Sequence, residues 1–199
     1  MTLAEEDFDA AYFGDVESDL IRKCGYLDYL ALKTNHIQKE IYEKFILAHA
    51  FRPDDKILEL GAAVGFFGKI AGINGLNVKC VDVSQWCYDH RLHSDFEKAS
   101  AFQYLKTLGS KSYDYIISFG FLECLDDAKL QALIILMNRV AKKQIHCLYG
   151  IGNPKYYNLK TVPQWKSFFD DSVTIEMEGE YDSKIMVQVK KEIQVNEAR

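Results

Sequence analysis

Residues 56–68, KILELGAAVGFFG, constrain the fold of this chain more than any other stretch. An apolar run ends in an acid and a glycine, which is typical of a strand followed by a tight turn and the first turn of a helix. The small residues Gly61, Ala62, Ala63 and Gly65 let the backbone turn sharply and let a ligand approach it. We expect free backbone N–H groups at this turn, with a nucleoside cofactor beside them.

The composition favours one soluble enzyme-sized domain. The chain has 199 residues, 48% of them hydrophobic, which is enough for a sizeable core. A formal charge of -5, without any block of like charges, disfavours a nucleic-acid partner. No apolar run approaches the roughly 20 residues that cross a bilayer, and the acidic N-terminus does not resemble a secretory signal. We therefore expect a cytoplasmic protein with no membrane partner.

The five cysteines indicate reduced thiols, because they are odd in number and contain no CxxC pair. Cys87, His90 and His93 are spaced by three residues, so they lie close to one face of a helix. No second ligand cluster accompanies them, and structural zinc sites usually draw four ligands from recognisable pairs. A partly exposed helix face explains these residues as well as a metal does, and we expect no metal site.

Strands and helices alternate along the sequence from residue 34 onward. The predicted strands lie at 56–60, 77–82, 96–99, 113–119 and 144–149. This βαβα order predicts an α/β fold with a doubly wound, mostly parallel sheet and helices on both faces. Two later β-rich runs, SVTIEMEGE and SKIMVQVKKE, predict a C-terminal antiparallel hairpin. We interpret residues 1–33 as an N-terminal cap or appendage and 34–199 as the main domain.

The carboxyl ends of the strands are where an open α/β sheet binds its ligand. The second strand ends at Asp82, 21 residues after Gly61, which is about the distance at which an acid accepts hydrogen bonds from ribose hydroxyls. The pattern from Ala63 through Gly65 to Gly68 is also close to the GxGxxG dinucleotide fingerprint. On these residues alone, a nicotinamide oxidoreductase stays open.

Taken together, these motifs resemble those of class I S-adenosylmethionine-dependent methyltransferases, from about Ile37 to Tyr149. ILELGAAVGFFG is similar to the family's first motif, with Ala63 in place of the middle glycine, and KCVDVS is similar to the second. YDYIISFGFLECLDD resembles the fourth-strand motif, whose loop lines the methionine end of the cofactor and the acceptor site. The resemblance implies a seven-stranded sheet with an antiparallel last strand, and S-adenosylmethionine as cofactor.

The same resemblance implies a set of cofactor-binding residues. They are Glu59, Gly61, Ala62, Ala63, Gly65, Phe66, Asp82, Val83, Ser100, Ala101, Phe119, Gly120 and Tyr29. Asp82 is the implied ribose ligand, and Val83 the implied adenine-packing side chain. Ser100 stands where the family often has an aspartate that reads the adenine amino group. Tyr29, with Tyr12 and Phe13, resembles aromatic segments that fold over the cofactor in several small-molecule methyltransferases, and simple core packing is the favoured alternative for them.

Glu123 is the candidate catalytic residue, either as a base or as a group that orients the substrate. A helix-start acid is an equally consistent interpretation. Cys124 stands where many relatives carry histidine, and we interpret it as a packing thiol. His36, His146 and Tyr156 are further candidate bases.

We therefore expect a methyltransferase that acts on a small-molecule acceptor. A nicotinamide (NAD(P)-dependent) oxidoreductase and a non-catalytic S-adenosylmethionine-binding protein are the alternatives. The sequence specifies neither the acceptor nor the oligomeric state.

Overall fold

The structure, a computed structural model, describes residues 8–14, 28–149, 158, 160–169, 173–178 and 184–190. The helices are α1 (Tyr29–Lys33), α2 (His36–His49), α3 (Phe66–Ile73), α4 (Gln85–Asp89), α5 (Ala101–Thr107), α6 (Asp127–Val140) and α7 (Val162–Phe168). The strands are β1 (Lys56–Leu60), β2 (Asn77–Asp82), β3 (Phe96–Lys98), β4 (Tyr113–Phe119), β5 (Ala141–Tyr149), β6 (Val173–Glu178) and β7 (Lys184–Lys190). A short 3-10 helix, Leu122–Cys124, follows β4.

Strands β1 to β5 form a parallel sheet in the order β3-β2-β1-β4-β5. The chain moves outward from β1 to β3 and then returns to the other side of β1 with β4. The strand order therefore reverses between β1 and β4, which opens a crevice at their carboxyl ends. The predicted α/β class with a parallel sheet is confirmed. Seven strands closed by a hairpin stay a prediction, because the turn between β6 and β7 lies outside the described residues.

Both faces of the sheet are buried, which explains why the strands read as apolar runs. Ile57 and Ile117 point into one hydrophobic cluster, together with α2, α3 and α4. Leu58 and Ile116, one residue along each strand, point into a second cluster with α5 and α6. Helix α6 buries one apolar face, made of Leu130, Leu133, Ile134, Met137 and Val140.

Side-chain caps begin helices α2 and α4. The Asn35 side chain accepts the N–H of Gln38 at 3.0 Å and starts α2. The Ser84 hydroxyl accepts the N–H of Cys87 at 3.2 Å and starts α4. Such caps satisfy donors that a helix leaves unpaired at its N-terminus. Among the described helices, none is long and apolar enough to span a membrane.

The N-terminal residues 8–14 pack against the sheet domain near the end of β2. The Ser84 hydroxyl donates to the carbonyl of Phe8 at 2.6 Å, and the ring of Phe13 stacks on Trp86 with centroids 4.6 Å apart. The N–H of Tyr29 donates to the carbonyl of Phe13 at 3.0 Å. These contacts hold the segment over the carboxyl edge of the sheet. The predicted domain boundary at residue 33 stays a prediction.

Two polar residues just before α7 tie that part of the chain to the loop between β4 and α6. The Lys160 ammonium, only 9% exposed, donates to Asp127 at 2.6 Å and to Asn158 at 2.7 Å. Asn158 in turn donates to the carbonyl of Leu125. The backbone N–H of Asn158 reaches the carbonyl of Glu123 at 3.3 Å. We call this the Lys160 clamp, and it fixes the loop that follows β4.

We predict that Lys160→Met loosens this loop. The substitution removes two charge-assisted hydrogen bonds, and because Asp127 is 65% exposed, the cost is modest, roughly 1–2 kcal/mol of unfolding free energy. Native-state hydrogen exchange should become faster at residues 121–125. Lys166→Met removes an exposed lysine of α7 and is the matched control. Identical exchange in the two variants would show that the clamp does not hold the loop.

Candidate functional site

A cavity of about 420 Å³ lies at the carboxyl ends of β1, β2 and β4. Nine of the predicted cofactor residues line it: Tyr29, Gly61, Ala63, Asp82, Val83, Ser100, Ala101, Phe119 and Gly120. They come from parts of the chain that are up to 91 residues apart, from 29 to 120. The parallel sheet brings them together because all its strands end at the same edge.

The turn after β1 has the backbone that its small residues predict. Gly61 has φ +65, and a Cβ built there would lie 2.6 Å from Phe121. The expectation of free N–H donors is wrong for three residues of this turn. Ala62 donates to Val81, Gly65 donates to Ala62, and Ala63 donates to the Asp82 side chain. At these three positions the turn offers a ligand small residues rather than free donors.

Asp82 joins two of the turns that border the cavity. Its Oδ2 accepts the N–H of Ala63 at 2.8 Å, and its Oδ1 accepts the N–H of Ser84 at 2.9 Å. Withdrawal from bulk water raises the pKa of Asp82 to about 6, while the backbone donors of Ser84, Ala63 and Val83 act in the opposite direction. Each carboxylate oxygen has a further lone pair, so the ionised group can accept hydroxyls from a ligand.

Glu59 lies behind the turn and does not line the cavity. It is 3% exposed, and its Oε2 accepts the Cys80 thiol at 3.1 Å. Burial raises the pKa of Glu59 to about 8, although hydrogen bonds from Cys80 and the backbone of Gly68 lower it. The Glu59 side chain therefore lies on the core side of the glycine turn and contacts Cys80 of β2 and the backbone of Gly68 in the first turn of α3.

Three other predicted cofactor residues also lie off the cavity lining. Ala62 is buried beneath the turn. Gly65 starts α3, and a Cβ there would lie 3.2 Å from His93. Phe66 packs in the core, with its ring 6.0 Å from that of Tyr42 on α2. These residues shape the turn rather than face the cavity, because the helix begins immediately after Gly65.

The fourth-strand loop differs most from its prediction. Glu123 is fully buried and does not line the cavity, whereas Cys124 does. The 3-10 helix turns Glu123 away from the cavity and brings Cys124 towards it, with Sγ 3.8 Å from the carbonyl of Gly120. Glu123 is therefore not part of the cavity lining as arranged, whereas Cys124 is, and the roles of both residues stay predictions.

Neither candidate histidine base lines the cavity. His36 lies exposed on α2. His146 is fully buried between Ser118, at 2.8 Å, and Gln144, at 3.1 Å, and burial lowers its pKa to about 3. Tyr156 lies outside the described residues.

The histidines of the predicted α4 face have partners of their own. His90 Nδ1 lies 2.8 Å from the carbonyl of Trp86, and His93 Nε2 lies 2.7 Å from the carbonyl of Val78. Cys87 is buried, and α4 ends at Asp89, before His93. In the part of the chain that the structure describes, no group of three or more potential metal ligands occurs.

Several lining residues were not among the predicted cofactor residues. They are Phe8, Tyr12, Phe13, Val81, Ala99, Phe102, Phe121, Cys124, Leu125 and Lys129. Most sit within a few residues of a motif, so proximity in sequence is the signal that could have found them. Tyr12 and Phe13 both line the cavity and pack in the core. Core packing and a position beside the cavity are therefore compatible for this segment.

We predict that Glu59 makes the protein less stable as pH rises. The pKa of Glu59 is about 8 in the folded protein, above the ordinary value of 4.5. The contribution of its neutral form to the unfolding free energy is therefore complete below pH 4.5 and is lost as pH rises through 8. Glu59→Gln stays neutral and removes this loss. Denaturant unfolding at pH 5 and pH 8 should show a drop for the original chain that exceeds the variant's drop by roughly 3 kcal/mol. Asp82 titrates in both proteins, so equal drops would contradict the assignment to Glu59.

No family model matches the chain, and no curated protein matches it. Solved structures do match its fold. A SAM-dependent methyltransferase from Archaeoglobus fulgidus superposes with a TM-score of 0.64 at 20% identity, over 76% of this chain and 78% of that one. The PH0226 protein from Pyrococcus horikoshii gives a TM-score of 0.62 at 17% identity, over 84% of this chain and 100% of that one.

Magnesium protoporphyrin IX methyltransferase from Synechocystis PCC 6803 was crystallised with bound SAH, the demethylated form of the cofactor. It gives a TM-score of 0.62 at 15% identity, over 84% of this chain and 90% of that one. At these identities the similarity shows the fold alone. The chain thus has the Rossmann-like fold of SAM-dependent methyltransferases, as its motifs predict.

Proposed function

We propose that this protein is a class I S-adenosylmethionine-dependent methyltransferase that acts on a small-molecule acceptor. The observation that carries the proposal is Asp82, whose carboxylate joins the glycine turn and the β2–α4 turn at the edge of the cavity. The fold similarity agrees with it. A cytoplasmic location belongs to the same proposal.

The residues of the cavity fit this cofactor chemically. Asp82 offers acceptor lone pairs for two ribose hydroxyls. Val83 and Ala101 offer apolar surface for a flat base beside the Ser100 hydroxyl. At Gly61, a side chain would collide with Phe121, so only glycine leaves the backbone open to the cavity. When bound, S-adenosylmethionine supplies a methyl group that its sulfonium activates.

Methyl transfer requires mainly alignment of the nucleophile and exclusion of water. The aromatic side chains Phe8, Tyr12 and Phe13 cover the cavity, and Phe119 and Phe121 line it from β4 and the loop that follows. Such walls reduce the access of water. Glu123 is buried off the cavity, so the proposed mechanism does not use it as a base.

We test the proposal by calorimetry with S-adenosylhomocysteine. Binding with a dissociation constant in the micromolar range is expected, and a folded sample that binds nothing at high micromolar concentration would contradict it. Transfer of label from methyl-labelled S-adenosylmethionine to a small-molecule extract separates an enzyme from a non-catalytic binding protein. Binding of NADH in place of S-adenosylhomocysteine would support the oxidoreductase.

We predict that binding weakens in acid. The ionised Asp82 accepts two hydroxyls, and protonation replaces one of its lone pairs with a donor, so affinity falls below a pKa of about 6. The dissociation constant for S-adenosylhomocysteine at pH 5 should be about tenfold higher than at pH 7. Asp82→Asn should bind more weakly at pH 7 and lose this pH dependence. Asp95→Asn, which neutralises an exposed carboxylate, is the control, and an unchanged pH dependence in Asp82→Asn would overturn the role of Asp82.

We also propose that the sheet has seven strands and ends in an antiparallel hairpin. The support is the register, in which β7 lies antiparallel to β5 from Lys143 to Tyr149 and β6 lies antiparallel to β7. In this arrangement β7 is an inner strand, paired on both sides.

Val187→Pro tests the inner position of β7. Proline removes a ladder donor from a strand paired on both sides, so we expect a loss of about 3 kcal/mol or more in unfolding free energy. Val187→Ala keeps the N–H and is the matched control. Equal stability of the two variants would contradict an inner β7.

A further inference from the structure

Residues 8–14 lie over the cavity, and we call them the N-terminal strap. Three of its side chains, Phe8, Tyr12 and Phe13, line the cavity. Their rings contact one another in order, with centroids 5.0 Å apart for Phe8 and Tyr12 and 4.9 Å apart for Tyr12 and Phe13. Asp9 orders the backbone between them, because its side chain accepts the N–H of Tyr12 at 3.0 Å and its carbonyl accepts the N–H of Phe13 at 3.2 Å. The strap is therefore a locally ordered unit.

The strap is fastened to the sheet domain near both of its ends. The Ser84 hydroxyl donates to the carbonyl of Phe8 at 2.6 Å, and we call this hydrogen bond the Ser84 latch. Near the other end, the carbonyl of Phe13 accepts the N–H of Tyr29 at 3.0 Å, and the Phe13 ring stacks on Trp86. Ser84 is 2% exposed, so water competes little for its hydroxyl. Because the latch comes from a side chain, a substitution can remove it.

Ser84 also contacts the proposed ribose acid. Its backbone N–H donates to Oδ1 of Asp82 at 2.9 Å, while its hydroxyl accepts the N–H of Cys87 at 3.2 Å. A hydroxyl has a single proton to donate, and in Ser84 this proton goes to the carbonyl of Phe8. One residue thus holds Asp82 through its backbone and the strap through its side chain.

We propose that Ser84 is a positioning residue that holds the N-terminal strap closed over a ligand bound at Asp82. The inference rests on the proposed function, which supplies S-adenosylhomocysteine as the ligand for its test. With the latch formed, a ligand in the cavity contacts Asp82 and the rings of the strap at the same time. Without it, the strap is closed for a smaller fraction of the time, and the apparent affinity falls by that fraction. The coupling is reciprocal, so the ligand also favours the closed strap.

Ser84→Gly tests the latch without removing the contact to Asp82. The variant lacks the hydroxyl but keeps the backbone N–H, and glycine costs little at a helix N-cap. By calorimetry at pH 7, its dissociation constant for S-adenosylhomocysteine should be about fivefold higher, as expected for the loss of one hydrogen bond. Ser84→Ala, which also lacks the hydroxyl, should behave in the same way. Affinities equal to that of the original chain in both variants would overturn the proposal.

Two further variants separate the latch from a general loss of stability. Ser84→Thr keeps a hydroxyl and should restore most of the affinity. Thr161→Ala removes a hydroxyl that caps α7 away from the cavity lining, so it is the matched control and should bind as the original chain does. Weaker binding by Thr161→Ala to the same extent as by Ser84→Gly would contradict a specific role of the latch.

The pH dependence of binding distinguishes the latch from damage to Asp82. Because Ser84→Gly keeps the N–H that Asp82 accepts, the ratio of its dissociation constants at pH 5 and pH 7 should equal that of the original chain. A different ratio would show that the substitution acts through Asp82, and it would overturn the assignment to the strap.

Hydrogen exchange follows the strap itself, with and without ligand. Without ligand, the amides of Tyr12, Phe13 and Tyr29 should exchange faster in Ser84→Gly than in the original chain or in Thr161→Ala. S-adenosylhomocysteine should slow their exchange in the original chain, because the ligand favours the closed strap. Unchanged exchange in Ser84→Gly, or no protection by a ligand that binds, would overturn the proposal.

The ligand-free exchange also separates this inference from the proposed function. A chain that does not bind S-adenosylhomocysteine contradicts the methyltransferase function, whether or not the latch holds the strap. A chain that binds it equally well with and without the Ser84 hydroxyl contradicts the latch alone.

Discussion

The cavity depends on one pair of hydrogen bonds, those that the Asp82 carboxylate accepts from the N–H groups of Ala63 and Ser84. These donors belong to the turns after β1 and β2. One side chain therefore sets the distance between two strand ends and still has lone pairs towards the cavity. The Asp82 carboxylate thus holds the two turns together and is also the proposed ligand-binding group. Its pKa of about 6 therefore affects both the stability of the turns and the proposed binding.

The surroundings of Asp82 are built from segments that are distant in sequence. Behind the glycine turn, Glu59 joins Cys80 on the neighbouring strand. In front, residues 8–14 are held by the hydrogen bond from Ser84 to Phe8. On the far side, the Lys160 clamp holds the loop after β4. Each contact connects the sheet edge to another element, so the shape of the cavity is a property of the whole fold.

The motifs at the strand ends allowed most of the fold and about half of the cavity lining to be predicted. Apolar runs that end in small residues or in an acid identify parallel strands and their carboxyl ends, and nine of the predicted cofactor residues line one cavity. Side-chain orientation was beyond the reach of these motifs. Glu123 and Cys124 are adjacent, and which of them faces the cavity depends on the 3-10 helix and on its packing.

The sequence by itself therefore determined the class of fold, the position of the glycine turn and the position of Asp82 at the end of a strand. These features follow from local backbone preferences and from strand periodicity. The tertiary structure alone decided the burial of Glu59 and Glu123 and brought Phe121, Leu125 and Lys129 to the lining of one cavity. Side-chain direction and desolvation arise from contacts between distant segments, and no local pattern encodes them.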